Sequence, residues 1–206
     1  MSPMRIVVSE FISLDGVVQA PGGPQEDTDG GFAHGGWSHP YFDPEVLGPA
    51  FSEGMERAEA LLYGRRTYLT MAGAWPERAG DPFADRLNSL KKYVVTDTLD
   101  DSELAWNNTE RIPGSEAVER IRALRGTEGG ELAMMGSPTL VRTLIAEGLV
   151  DELQLIVMPV LLGGGKSIFP EDGAKRPFEL VSTVTGKTGV QVCVYRPAPE
   201  ADQSQG

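Results

Sequence analysis

The sequence predicts an α/β fold: a mainly parallel central sheet flanked by helices and finished by a C-terminal antiparallel hairpin. Three observations lead there. Apolar or β-branched runs at 4–12, 60–63, 92–98, 132–135 and 149–157 suit buried strands. Between several of them lie stretches whose apolar residues recur every three or four positions, the period of a helix with one face on a sheet. The last two strand-like runs, 178–185 and 190–196, are joined only by Gly186-Lys187-Thr188-Gly189, a hairpin connection.

With 206 residues, 40% hydrophobic and 23% charged, the chain suits one globular domain over 1–197 followed by a polar tail over 198–206. A net charge of −12 without a block of lysine or arginine argues against nucleic acid and against an anionic membrane surface. An anionic ligand would therefore need a local basic pocket. No apolar run nears the roughly 20 residues of a membrane span, and the first residues lack the basic and apolar regions of a signal peptide. The single cysteine, Cys193, excludes an intramolecular disulfide and any multi-cysteine metal site. It sits in an apolar strand, where a buried structural thiol is expected. A cytoplasmic protein is the expectation.

In chain order, residues 4–12 read as the first, central strand and run into Ser13-Leu14-Asp15-Gly16. Asp15 is a carboxylate at a strand end beside a glycine, which makes it either a ligand contact or part of an ordinary turn. Residues 19–42 form a long loop rich in Gly, Pro, Asp and Thr. Loops beyond about 12–15 residues are usually lids, binding loops or disordered, and Trp37, Tyr41 and Phe42 argue against plain disorder. His34 and His39 with Asp27, Asp29 and Asp43 lack the spacing of a zinc motif and a third strong nitrogen or sulfur ligand, so no metal site is expected.

Asp43 and Pro44 open a helix as cap and first residue, with Phe51, Met55 and Ala58 on one face; Gly48-Pro49 is expected to break or bend it. The strand at 60–63 ends in Gly64-Arg65-Arg66-Thr67-Tyr68. Two guanidinium groups and a hydroxyl at this corner suit a phosphorylated ligand, or else pair on the surface with Glu56 or Glu59. After Trp75-Pro76, Pro82 opens a short helix ending near Leu90, and the strand at 92–98 closes on Thr96-Asp97-Thr98. Residues 104–106 read as a short extra strand, and Ser115 as the cap of a helix with Val118, Ile121 and Leu124 on one side, a Glu116, Arg120 pair on the other, and Gly126 at its end.

Residues 131–148 carry the strongest local pattern. A strand at 132–135 stops at Gly136, Ser137 caps the next helix through its hydroxyl, Pro138 suits its first position, and Gly148 follows its end. Leu140, Val141, Leu144 and Ile145 give that helix one apolar face. The turn gathers N–H groups and the positive end of a helix dipole, which suits a phosphate; the same pattern also makes an ordinary βα corner. Gly163-Gly164-Gly165-Lys166-Ser167 is not a P-loop, because Val160 stands where the first glycine belongs and Ile168-Phe169-Pro170 forbids a long helix. A hairpin or ligand-side loop is expected there.

Four motifs in this order, Ser13-Leu14-Asp15-Gly16, Leu62-Tyr63-Gly64-Arg65-Arg66-Thr67-Tyr68, Met135-Gly136-Ser137-Pro138-Thr139-Leu140, and Leu149-Val150-Asp151-Glu152-Leu153 leading to Gly163-Gly164-Gly165, resemble the dihydrofolate reductase-like superfamily. More closely, the chain resembles the C-terminal reductase domain of the bifunctional riboflavin-biosynthesis deaminase-reductase and its stand-alone relatives, over nearly its whole length. The resemblance implies an NADPH-dependent reductase acting on a small heterocyclic or carbonyl substrate. It implies that the Gly64 corner holds the adenosine phosphates, with Arg65 on the 2′-phosphate, Thr67 on the pyrophosphate and Arg66 in support. Thr96 would flank the adenine ribose, and Gly136, Ser137, Pro138, Thr139 and Leu140 would form the second pyrophosphate cradle. The nicotinamide would lie near Gly16, with Asp15 binding substrate or relaying a proton. Trp37 would stack on the substrate or anchor the loop. A homodimer is expected from the same resemblance. Two other readings are a dinucleotide-binding protein that keeps the fold without turnover, and a hydrolase built on Ser137 with His34 or His39. The latter lacks a Gly-x-Ser-x-Gly elbow.

Overall fold

In a computed structural model describing residues 2–199, the apolar runs become strands of one eight-stranded sheet. The chain forms β1 (Arg5–Ser13), α1 (Pro44–Arg57), β2 (Ala58–Gly64), α2 (Arg65–Ala74), α3 (Pro82–Ser89), β3 (Lys91–Val95), β4 (Thr109–Ile112), α4 (Ala117–Arg125), β5 (Glu131–Met134), α5 (Pro138–Ala146), β6 (Glu152–Met158), β7 (Phe178–Thr185) and β8 (Gln191–Pro197). The strands lie in the order β4-β3-β2-β5-β1-β6-β8-β7. β1 to β6 pair in parallel, and β8 runs antiparallel to both β6 and β7. Of the polar tail, residues 200–206 lie outside the described residues.

Both faces are covered, which is why the inner strands read as unbroken apolar runs. Along β2 the side chains alternate. Ala60 and Leu62 join Ile6, Val8 and Leu132 under Ile121 of α4 and Val141 and Leu144 of α5. Leu61 and Tyr63 face the other way, onto Tyr68 of α2 and Leu87 of α3. On that same side Leu47 of α1 packs with Ile156, Met158, Val190 and Val192. Among the described residues no helix is long and apolar enough to cross a membrane. Cys193 is buried in β8.

Four local expectations are corrected. α1 is not broken at Gly48-Pro49 but continues to Arg57. A mid-helix proline costs about 3 kcal/mol; here buried Leu47 and Met55 hold the helix on both sides of it, and Asp43 caps the start by accepting from the Glu45 N–H at 3.0 Å. The extra strand is β4, not residues 104–106. Trp106 is instead a core plug: it stacks on Tyr63 with ring centroids 6.1 Å apart, and its indole N–H donates to Asn88 Oδ1 at 2.7 Å. Ser115 lies inside a 3-10 turn and does not cap α4. Ser137 precedes α5 but makes no side-chain cap to it, for the reason given below.

The 19–42 loop is ordered by its own side chains, with 3-10 turns at Asp29–Gly31 and His39–Tyr41. Trp37 is buried and donates from its indole nitrogen to the Gln19 carbonyl at 2.7 Å. Gln19 in turn donates to the carbonyls of Asp27 and Asp29 at 3.1 and 3.0 Å.

Candidate active site

The site arises from a mismatch in strand pairing. β1 stays paired with β6 as far as Ser13, opposite Met158, but with β5 only as far as Val8, opposite Met134. Beyond that point β5 turns away and a cleft of about 1210 Å³ opens beside β1. Clefts at the carboxyl ends of parallel strands, where neighbouring connections diverge, are where open α/β sheets bind ligands.

Two strand-helix corners, β2 to α2 and β5 to α5, meet on one side of the cleft. The hydroxyl of Ser137 accepts from the Gly64 N–H at 2.9 Å and donates to Thr67 Oγ1 at 2.8 Å. That leaves the Thr67 proton available to the cleft. Both glycines are required by the close approach. A Cβ at Gly64 would lie 2.5 Å from Ser137 Oγ, and one at Gly136, which has φ +79°, would lie 2.9 Å from Thr67 Oγ1. Because Ser137 serves the neighbouring corner, the first turn of α5 has no side-chain cap. Pro138 has no N–H, so the N–H groups of Thr139 and Leu140 are what the helix start offers. Arg65, exposed at the start of α2 and lining the cleft, has no hydrogen bond or ion pair among the described residues. An unpaired guanidinium facing an uncapped helix start is a suitable set of donors for a phosphate-bearing dinucleotide.

Arg66 is differently engaged. It pairs with Asp27 at 2.6 Å and Asp29 at 2.8 Å, and not with Glu56 or Glu59. Lys166, after the triple glycine, pairs with the same two carboxylates at 2.5 and 2.8 Å. This quartet ties the 19–42 loop to both α2 and the Gly163–Gly165 turn. The Lys166 ammonium first, and the Arg66 guanidinium next, hold the Asp29 carboxyl below its ordinary range.

The residue that reading the sequence missed is Glu10. It is 6% exposed, lines the cleft from β1, and accepts from the Gly136 N–H at 3.0 Å. No other described group hydrogen-bonds to it, so one oxygen is left for the cleft. Burial pushes its carboxyl up to about 8, with a small addition from nearby Glu26 and against the pull of the Gly136 N–H. Burial therefore favours its protonated form near neutral pH. The signal was present: a lone acid inside Arg5-Ile6-Val7-Val8-Ser9-Glu10-Phe11-Ile12 contradicts a buried strand unless it has a task.

Of the residues named from sequence, Gly64, Arg65, Arg66, Thr67, Gly136, Ser137, Pro138, Thr139 and Leu140 all line this one cleft. Asp15, Gly16, Trp37 and Thr96 are not among its lining residues. The Asp15 carboxylate instead accepts from the Ser13 hydroxyl at 2.6 Å and from the N–H groups of Gly163 at 2.7 Å and Leu162 at 3.2 Å, which together hold it down at about 2. It staples the turn after β1 to the turn after β6. Gly16 has φ +82° and packs beside Phe169. The Thr96 hydroxyl accepts from the N–H groups of Thr98 and Leu99 at 3.2 Å. Trp37 serves the loop, as described.

Residues 4–192 match the RibD C-terminal domain family. The chain is similar to the uncharacterized protein YyaP of Bacillus subtilis (strain 168), 26% identical over 196 residues that cover 93% of this chain and 94% of that one. Its fold is similar to the crystal structure of a protein assigned to riboflavin biosynthesis from Shewanella sp. PV-4, with TM-score 0.72, 21% identity, and 95% and 100% of the two chains covered. It is also similar to dihydrofolate reductase from Enterococcus faecalis, solved with NADP(H) and RAB-propyl, with TM-score 0.60, 18% identity, and 95% and 97% covered.

Proposed function

We propose that this chain, which belongs to the RibD C-terminal domain family, is an NADPH-dependent reductase acting in the cytoplasm on a small heterocyclic or carbonyl compound. One observation carries the reading: two strand-helix corners joined through Ser137, with unpaired Arg65 and an uncapped α5 facing the same cleft. Arg65 takes the 2′-phosphate, and Thr67 with the N–H groups of Thr139 and Leu140 takes the pyrophosphate. NADPH held there supplies a hydride. The rest falls to the chain: orientation, exclusion of water, and a proton for the reduced bond.

Glu10 provides that proton. The C=O or C=N bond of the substrate becomes single as its carbon gains the hydride; its oxygen or nitrogen takes the proton from the Glu10 carboxyl. The carboxylate left behind keeps the Gly136 N–H as its donor until it is protonated again through the cleft. The 19–42 loop, pinned by Trp37 and the Arg66 pairs, walls off water.

The test is separate titration with NADPH and NADH, followed by nicotinamide fluorescence. Charge-assisted hydrogen bonds of about 1.5–3 kcal/mol give NADPH a roughly 10- to 100-fold advantage in the native protein, lost in Arg65→Ala. Failure of the native protein to bind NADPH refutes the proposal.

A further inference from the structure

Among the described residues, the cleft has one unpaired cation, Arg65, beside its two strand-helix corners and none to spare elsewhere. Away from the corners it is bounded by β1, the 19–27 segment, α1 and the second half of α2. Phe11, Phe42, Phe51, Ile156 and Trp75 supply apolar and mainly aromatic walls there. Phe11 and Phe51 touch, with ring centroids 5.8 Å apart. Two cations reach this region, Arg66 and Lys166, and both are neutralised within the protein by Asp27 and Asp29. The quartet is fixed further by Gln19, whose side-chain nitrogen donates to Asp27 Oδ1 at 3.3 Å and whose oxygen accepts from the Lys166 N–H at 3.1 Å. Its two positive and two negative charges cancel. The ionisable groups that remain are acids, Glu10 and Glu26. The Glu26 carboxylate is turned back onto the Gly22 and Gly23 N–H groups at 2.7 and 3.1 Å.

An anion entering such a region would lose its water without gaining a counter-charge. A flat, neutral body would gain aromatic contact and could offer one acceptor to a neutral acid. Resting on the reductase reading above, we infer that the substrate is an uncharged, planar compound with one reducible C=O or C=N group, carrying no phosphate and no carboxylate. The Arg66–Asp27–Lys166–Asp29 quartet is the specificity device: it keeps two cations at the cleft while denying them to a ligand. Phosphate recognition then belongs to the nucleotide corners alone.

The test compares probes of one shape and different charge, namely 2-naphthaldehyde, 2-naphthoate and 2-naphthyl phosphate, binding to the NADPH-loaded protein. Binding is read as quenching of tryptophan fluorescence, since Trp75 lines the cleft. Nicotinamide fluorescence first establishes that NADPH is bound. The native protein is expected to bind the aldehyde at least tenfold more tightly than either anion. Asp29→Asn, on the exposed side of the quartet, releases part of the hold on Arg66 and Lys166 and is expected to strengthen binding of both anions by a similar factor, with the aldehyde unchanged. Equal or tighter binding of the anions by the native protein, or no binding of the aldehyde, overturns the inference while leaving the nucleotide reading intact. Absence of NADPH binding in the first step overturns both.

Discussion

The burial that lifts Glu10 from 4.5 to about 8 must show itself in the pH dependence of folding. Between those two values the native chain holds a proton that the unfolded chain has released. Stability therefore falls as pH rises through this window, by about 1.4 kcal/mol per pH unit, and roughly 5 kcal/mol has gone once the upper value is passed. Glu10→Gln keeps the shape, can still accept from the Gly136 N–H through its amide oxygen, and titrates nothing. Urea unfolding of both proteins in steps from about pH 5 to about pH 8 should show the variant gaining on the native chain by roughly 4 kcal/mol across the range. The same variant should bind NADPH normally and lose roughly 10²- to 10⁴-fold in kcat, as removal of a general acid does. Unfolding curves that stay parallel across the range would mean that Glu10 is ionised throughout, and the proton source would have to be sought elsewhere.

Ser137→Ala removes the group joining the two corners and orphans the Gly64 N–H, so stability should fall by about 1–3 kcal/mol and NADPH affinity with it; unchanged affinity would separate the junction from nucleotide binding. Asp15→Asn should leave NADPH affinity unchanged and speed amide hydrogen exchange at Leu162 and Gly163; loss of turnover with normal exchange would instead put Asp15 in the chemistry. We propose from the resemblance that the protein is a homodimer: light scattering at micromolar concentration should report one, and a monomer there would refute that expectation.

The fold was legible because covered parallel strands leave long apolar runs, and α5 announced itself at both ends. What hid was local competition. Ser137 carries the identity of a helix cap, yet its hydroxyl is claimed by a corner 70 residues away in sequence. Trp106 sits in a segment that reads as strand, but its large ring packs better as a plug. At the cleft, glycine, arginine and threonine in the β2 corner and the residues after β5 were readable as neighbours because strand-helix corners carry local backbone signatures. Asp15 stays ambiguous in the sequence for a related reason: an acid beside a glycine at a strand end looks the same whether it meets a ligand or staples its own turn. Glu10 shows its value only when the strand beside it is seen to end early. Arg66 could not be told from Arg65 in the sequence, since what separates them is two aspartates some 40 residues earlier.

The parting of β5 from β1 after Met134 has one more effect. From Ser9 to Ile12 β1 keeps a strand neighbour on only one flank, while at Ser13 the other flank closes on its own turn, the N–H donating to the Val17 carbonyl at 2.9 Å and the carbonyl accepting from the Gly16 N–H at 3.0 Å. A planar guest sliding in there can be read by main chain as a surrogate rung of the sheet. Substitution of side chains along the cleft leaves such a reader in place, because its donors and acceptors belong to the backbone.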